Sequence, residues 1–143
     1  MATFIKFQSF VEALAEKVHK LDTDVLKVAL TLNAPSATNT VLANITQIAA
    51  GNGYVAGGSQ ATQPAPPGGS VQTGGVYKLT LNDVTFTATP SNMAAFQYVV
   101  LYNDTATNDE LIGWYDYGAP LTITAGNSFT VDFDATNGAL TIT

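Results

Sequence analysis

Cysteine and arginine are both missing from this 143-residue chain, histidine occurs once, and only 11% of the residues are charged. Without cysteine there is no disulfide framework, no thiolate nucleophile and no cysteine-based zinc site. Without arginine there is no guanidinium fork for phosphate, and the five bases, all lysine, face 11 acids to leave a net charge of −6. Such a chain has no basic stripe to displace counterions from a nucleic-acid backbone, so no nucleic-acid partner is expected. Long hydrophobic runs are also missing. None approaches the ~20 residues that span a bilayer, so no membrane partner is expected, although mean hydropathy is slightly positive at +0.16. The opening segment places Glu12, Glu16, Lys17 and Lys20 within its apolar pattern, unlike the apolar region of a signal peptide, and we expect no secretion. Absent cysteine fits a reducing cytosol.

What is present argues for one β-rich domain over residues 1–143. A chain of this size buries roughly 68–70% of its unfolded surface, enough for a single core. Phe4, Phe7, Phe10, Leu14, Val18 and Leu21 recur at three- and four-residue spacing, which predicts an amphipathic helix over about 3–20. From Leu26 to Leu32 the period drops to two, as in a half-buried strand, and Val41, Leu42, Ile45 and Ile48 predict a short helix over 41–49. Residues 57–75 are dense in glycine and proline, and we expect a flexible arm or loop there.

From Val76 onward, short segments rich in threonine, valine and aromatics alternate with turn residues. The expected strands are 76–81, 84–88, 95–102, 111–117, 121–124, 128–134 and 139–143, the first two joined as a hairpin by Asn82-Asp83. This spacing predicts an antiparallel β-sandwich or barrel. Phe129, Val131 and Phe133 should face inward, and Thr130, Asp132 and Asp134 outward. Charge is unevenly divided: residues 1–27 balance four lysines against four acids, and the rest of the chain carries the whole net −6.

Candidate chemistry is sparse. His19 is the single imidazole and has no nucleophile elbow or thiol to serve, so it reads as a helix-end histidine. Asp104, Asp109, Glu110 and Asp116 cluster in sequence, and 132–138 begins like a calcium loop. That loop fails on register, with glycine seventh rather than sixth and Thr143 in the place of the bidentate glutamate. These acids read as solvated surface. The aromatic group Phe96, Tyr98, Tyr102, Trp114, Tyr115 and Tyr117 offers either core packing or a contact surface, with Phe96, Tyr98 and Tyr102 expected on one strand face and Tyr115 and Tyr117 opposite Trp114. No catalytic residue, cofactor or metal is expected.

The opening Phe4-x-x-Phe7-x-x-Phe10, the segment from Leu14 to Thr31, and the closing stretches Leu101–Asp104, Ile112–Gly118 and Phe129–Gly138 together resemble small virion structural proteins of tailed bacteriophages. Among these, the capsid cement or decoration proteins are the closest picture. That resemblance implies a jelly-roll-like β fold and a non-enzymatic protein that bridges and stabilises subunits of a phage major capsid protein from the virion exterior. It would be made in the host bacterial cytoplasm and assemble as a homo-oligomer, a dimer or trimer. Contact residues on this view would include Phe4, Phe7, Phe10, Tyr102, Trp114, Tyr115 and Tyr117. A tail or head-tail junction component, and a carbohydrate-binding module or glycosidase using the acids and aromatics of 102–117, stand as alternatives.

Overall fold

In the computed structural model, which describes residues 2–65 and 69–143, the chain is mainly β, with antiparallel strands and one short helix. The strands are β1 (Phe4–Lys6), β2 (Leu26–Thr31), β3 (Ser59–Ala61), β4 (Val71–Thr73), β5 (Val76–Leu79), β6 (Val84–Thr87), β7 (Phe96–Asn103), β8 (Leu111–Leu121), β9 (Ser128–Val131) and β10 (Leu140–Ile142), and the helix is α1 (Ser9–Ala15). A five-stranded sheet runs β1-β8-β7-β2-β3, beside a three-stranded sheet β10-β5-β4 and the pair β6-β9. One face of the large sheet shares a core with the smaller ones. Leu26, Val28 and Leu30 of β2 and Val99 and Leu101 of β7 cluster with Leu79, Phe86 and Val131 of the smaller sheets. Burying such side chains stabilises by roughly 1.5–3 kcal/mol each.

The opposite face of the large sheet has its own smaller cluster. Phe7, Ala29, Val100, Tyr102, Leu111 and Trp114 are capped by Ala37, Leu42 and Ile45 from the irregular segment after β2. Covered on both sides, β2 has five of its six residues buried, which corrects the expected half-buried alternation.

The expected helix over 3–20 is replaced by a strand, a two-turn helix and a reversal. Phe4, Ile5 and Lys6 pair with Tyr115, Trp114 and Gly113 of β8, so Phe4 satisfies sheet geometry rather than a helical stripe. Phe4 packs toward the main core and Phe7 beneath Trp114 on the other face. α1 stops because Lys17 takes φ 64° and the Val18 and His19 N–H groups both turn back to the Ala13 carbonyl, a left-handed helix end. The helix expected over 41–49 contracts to the 3-10 turn Leu42–Asn44, whose Asn44 side chain accepts from the Thr40 and Val41 N–H groups and so competes with helix continuation.

Two further corrections concern pairing. Residues 76–81 and 84–88 do not form a hairpin: β5 pairs with β4 and β10, and β6 with β9. The stretch 57–75 contributes β3 and β4 and buries Ala61, while its expected flexible centre at 66–68 lies outside the described residues. On β9 and beyond, Val131 and Phe133 are buried and Thr130 and Asp132 exposed, as the alternation requires.

Candidate functional site

No expected aromatic platform exists as one surface. A register break between Phe96 and Tyr98 rotates β7, placing Phe96 in the main core and Tyr98 with Tyr102 on the other face. Trp114 does lie opposite Tyr115 and Tyr117. Four of the seven residues named as contacts turn inward: Phe7, Phe10, Tyr102 and Trp114 are 0%, 2%, 1% and 7% exposed. Their work in this fold is packing; the Phe7 and Trp114 rings sit 4.5 Å apart. Phe4, Tyr115 and Tyr117 remain half-buried, with Phe4 and Tyr115 tilted against each other at 5.1 Å. Burial, with Tyr117, Asp132 and Asp134 nearby, pushes the Tyr115 hydroxyl up to about 12, so it stays a neutral hydrogen-bonding group.

The acids spread along separate turns. Asp104 pairs with Lys27 at 3.0 Å, Glu110 accepts from Asn108, and Asp116 accepts from the Gln97 side chain and the Gly118 N–H. Those two hydrogen bonds hold the Asp116 carboxyl below its ordinary range. Asp134 is likewise lowered, chiefly by the Asn137 N–H, in a turn closed by Thr136 and Asn137. Among the described residues no group of three ligating side chains is placed to hold a metal ion.

The His19 backbone belongs to the end of α1, and its side chain turns into the interior. Its ring stacks on Phe10 at 5.4 Å, and its Nδ1 is 3.1 Å from Asn103 Nδ2, which requires Nδ1 to be the accepting nitrogen. Asn103 also donates to Asp24, and its Oδ1 accepts from the Thr105 and Ala106 N–H groups. Burial pushes the imidazole below its ordinary pKa of 6.5, with Glu110, Asp24 and the Leu111 backbone pulling partly back. A neutral, accepting histidine so placed fastens three chain segments together. It has no hydroxyl to activate within the network.

A concave surface elsewhere went unread in the sequence. β1 and α1 form one wall of a trough and β10, with the turn before it, the other, enclosing about 810 Å³. Phe4, Phe10, Val11 and Leu14 face Leu140–Ile142 across it. A second hollow of about 520 Å³ adjoins at Leu14 and Ile142 and runs toward Leu21, Val71 and Tyr77. Lys6 is the one charged side chain lining the larger hollow, and it has no ion-pair partner among the described residues.

Both flanking strands are sheet edges. Among the described residues β1 is hydrogen-bonded only to β8 and β10 only to β5, so each carries peptide groups without a ladder partner. Gly113 lets β1 lie this close: a Cβ there would stand 2.2 Å from the Phe4 ring and 2.7 Å from the Ile5 carbonyl oxygen. Comparison with family models, curated proteins and solved structures finds no match to this chain. The trough therefore has to be read from its own chemistry. Apolar walls, open strand edges and a lone ammonium group suit a peptide-like surface better than a small polar substrate. No single residue predicts it, because its walls come from segments far apart in the sequence.

Proposed function

We propose that this chain is a non-enzymatic virion structural protein of a tailed bacteriophage, one that docks on the outside of the capsid and cements neighbouring major capsid subunits. In this reading the facing sheets form a β-sandwich of jelly-roll type, and the protein assembles as a dimer or trimer. The observation that carries it is the apolar trough between β1, α1 and β10, a preformed surface for another polypeptide on a rigid antiparallel body. The residue patterns that resemble virion proteins, 4–31 and 101–138, include the β1 and α1 wall of the trough and stop just before β10. Repetition over a lattice multiplies modest contacts through effective concentration, so one trough per copy suffices. A net charge of −6 opposes non-specific aggregation of free copies and so favours docking on a shell.

The carbohydrate-binding alternative loses support, because Trp114, its natural stacking platform, is packed on Phe7. Immunolabelling of virions and a copy count per particle test the proposal. Hundreds of copies over the head, with DNA released at lower temperature from particles lacking the protein, are the expected result. Unchanged heat resistance in such particles removes the cement role, and label confined to the tail, at about a dozen copies, replaces it with a tail or junction role.

A further inference from the structure

We propose that the trough takes one extended segment of the shell partner as an added strand between β1 and β10, with apolar side chains alternating into the trough and a carboxylate set against Lys6. This rests on the reading that the protein works by docking on another polypeptide, and it names how the docking is done. Three observations converge. The first is that both walls end in strands with a hydrogen-bonded neighbour on one side only, so an extended backbone is the occupant that satisfies both. Strand addition uses main-chain hydrogen bonds for affinity and alternate side chains for specificity.

The second is the lining. Phe4, Val11, Leu14 and Ile142 offer apolar surface at which a period-two pattern of aliphatic side chains is desolvated. Val11 is 55% exposed, far more than a helix residue facing its own core. The third is charge. Lys6 stands unpaired among the described residues at the trough, in a chain whose net charge is −6, so an acidic side chain on the occupant finds there its only complementary group among the lining residues. A second copy of the chain is the competing occupant, and it brings the same net negative charge to the contact.

Ten-residue peptides of alternating valine and threonine, carrying one glutamate or one lysine at successive positions, are the probes, titrated into the full chain by fluorescence anisotropy. Glutamate peptides should bind, and amide exchange should slow in Phe4–Lys6 and Leu140–Ile142. Lys6→Glu should weaken the glutamate peptides by up to about fivefold, the range of an exposed ion pair, and reverse the preference toward the lysine peptides. Val11→Asp should weaken all peptides, whereas Lys17→Glu, outside the trough, should change none; circular dichroism of each variant verifies the fold. No binding by any peptide, binding without protection at β1 and β10, or binding indifferent to Lys6→Glu each overturns the proposal. So does dimerisation, seen by sedimentation, that Val11→Asp abolishes while peptide addition leaves it intact. Cosedimentation of the same variants with virions separates this inference from the broader reading. Shell binding that survives both Lys6→Glu and Val11→Asp sinks strand addition alone, and peptide binding by a protein with no affinity for shells sinks the cement role alone.

Discussion

The large sheet has two margins, and they are finished in opposite ways. At the β3 margin side-chain hydrogen bonds tie down the segments on either side of the edge strand. Gln63 donates to the Leu21 carbonyl, and Asn82 donates from its backbone N–H and its amide to Thr62 at 2.7 and 2.9 Å. Just before β3, the Tyr102 hydroxyl donates to the Gly57 carbonyl at 2.6 Å, while the Gly57 N–H and the Tyr54 hydroxyl both donate to Gln47 Oε1. The β1 margin is tied by backbone alone, with the Phe7 and Gln8 N–H groups donating to the Ile112 and Ala37 carbonyls, and it opens on an apolar trough. Directional hydrogen bonds are used where the fold must be sealed. Apolar surface and unpaired backbone remain at the margin where the proposal places a partner.

The strongest way to break the contrast is to unpick the sealed margin. Gly58 has φ +74°, and a Cβ there would meet the Val28 carbonyl oxygen at 1.7 Å, against backbone that cannot step aside. Gly58→Ala should cost about 3–4 kcal/mol in urea unfolding, through the left-handed conformation and the displacement of β3 together. Asn103→Ala comes next. It leaves the N–H groups of exposed Thr105 and half-buried Ala106 without their acceptor and removes the hydrogen-bond partner of buried His19, for an expected loss of about 1–2 kcal/mol.

A pH series sharpens the same side. Because the folded pKa of His19 is lowered from 6.5, the unfolded chain binds the proton more readily. Stability from this group is therefore full above pH 6.5 and is lost as pH falls toward the folded value, by at most about 1.4 kcal/mol per pH unit. Unfolding midpoints between pH 7.5 and 5 should show that slope, and His19→Gln should flatten it. At the open margin the smallest effect is expected: Val11→Gln, at a residue 55% exposed, should move stability by no more than about 0.5 kcal/mol. A large loss there would mean the trough is part of the core and the contrast between margins is false.

The strand content was legible because side chains such as Val131 and Phe133 obey a period of two whatever they pair with. Pairing was not legible. Asn82-Asp83 carries turn chemistry, but whether its flanking strands pair with each other depends on distant partners, here β9 and β10. The N-terminal helix failed for a related reason: Phe4, Phe7 and Phe10 fit a helical face, and the groove over Gly113 decided in favour of a strand. His19 looked peripheral because its partner Asn103 lies 84 residues away. The trough, assembled from the first and last strands, had no local signature at all.

That juxtaposition of β1 and β10 across the trough has a mechanical reading. Short edge strands with one hydrogen-bonded neighbour, as β1 and β10 are among the described residues, open more cheaply than strands paired on both sides. A guest strand lying between β1 and β10 would clasp both at once, so that neither could peel without releasing it. Occupancy would then lengthen the lifetime of the folded protein as well as hold it in place, and a copy once seated would outlast its unattached siblings.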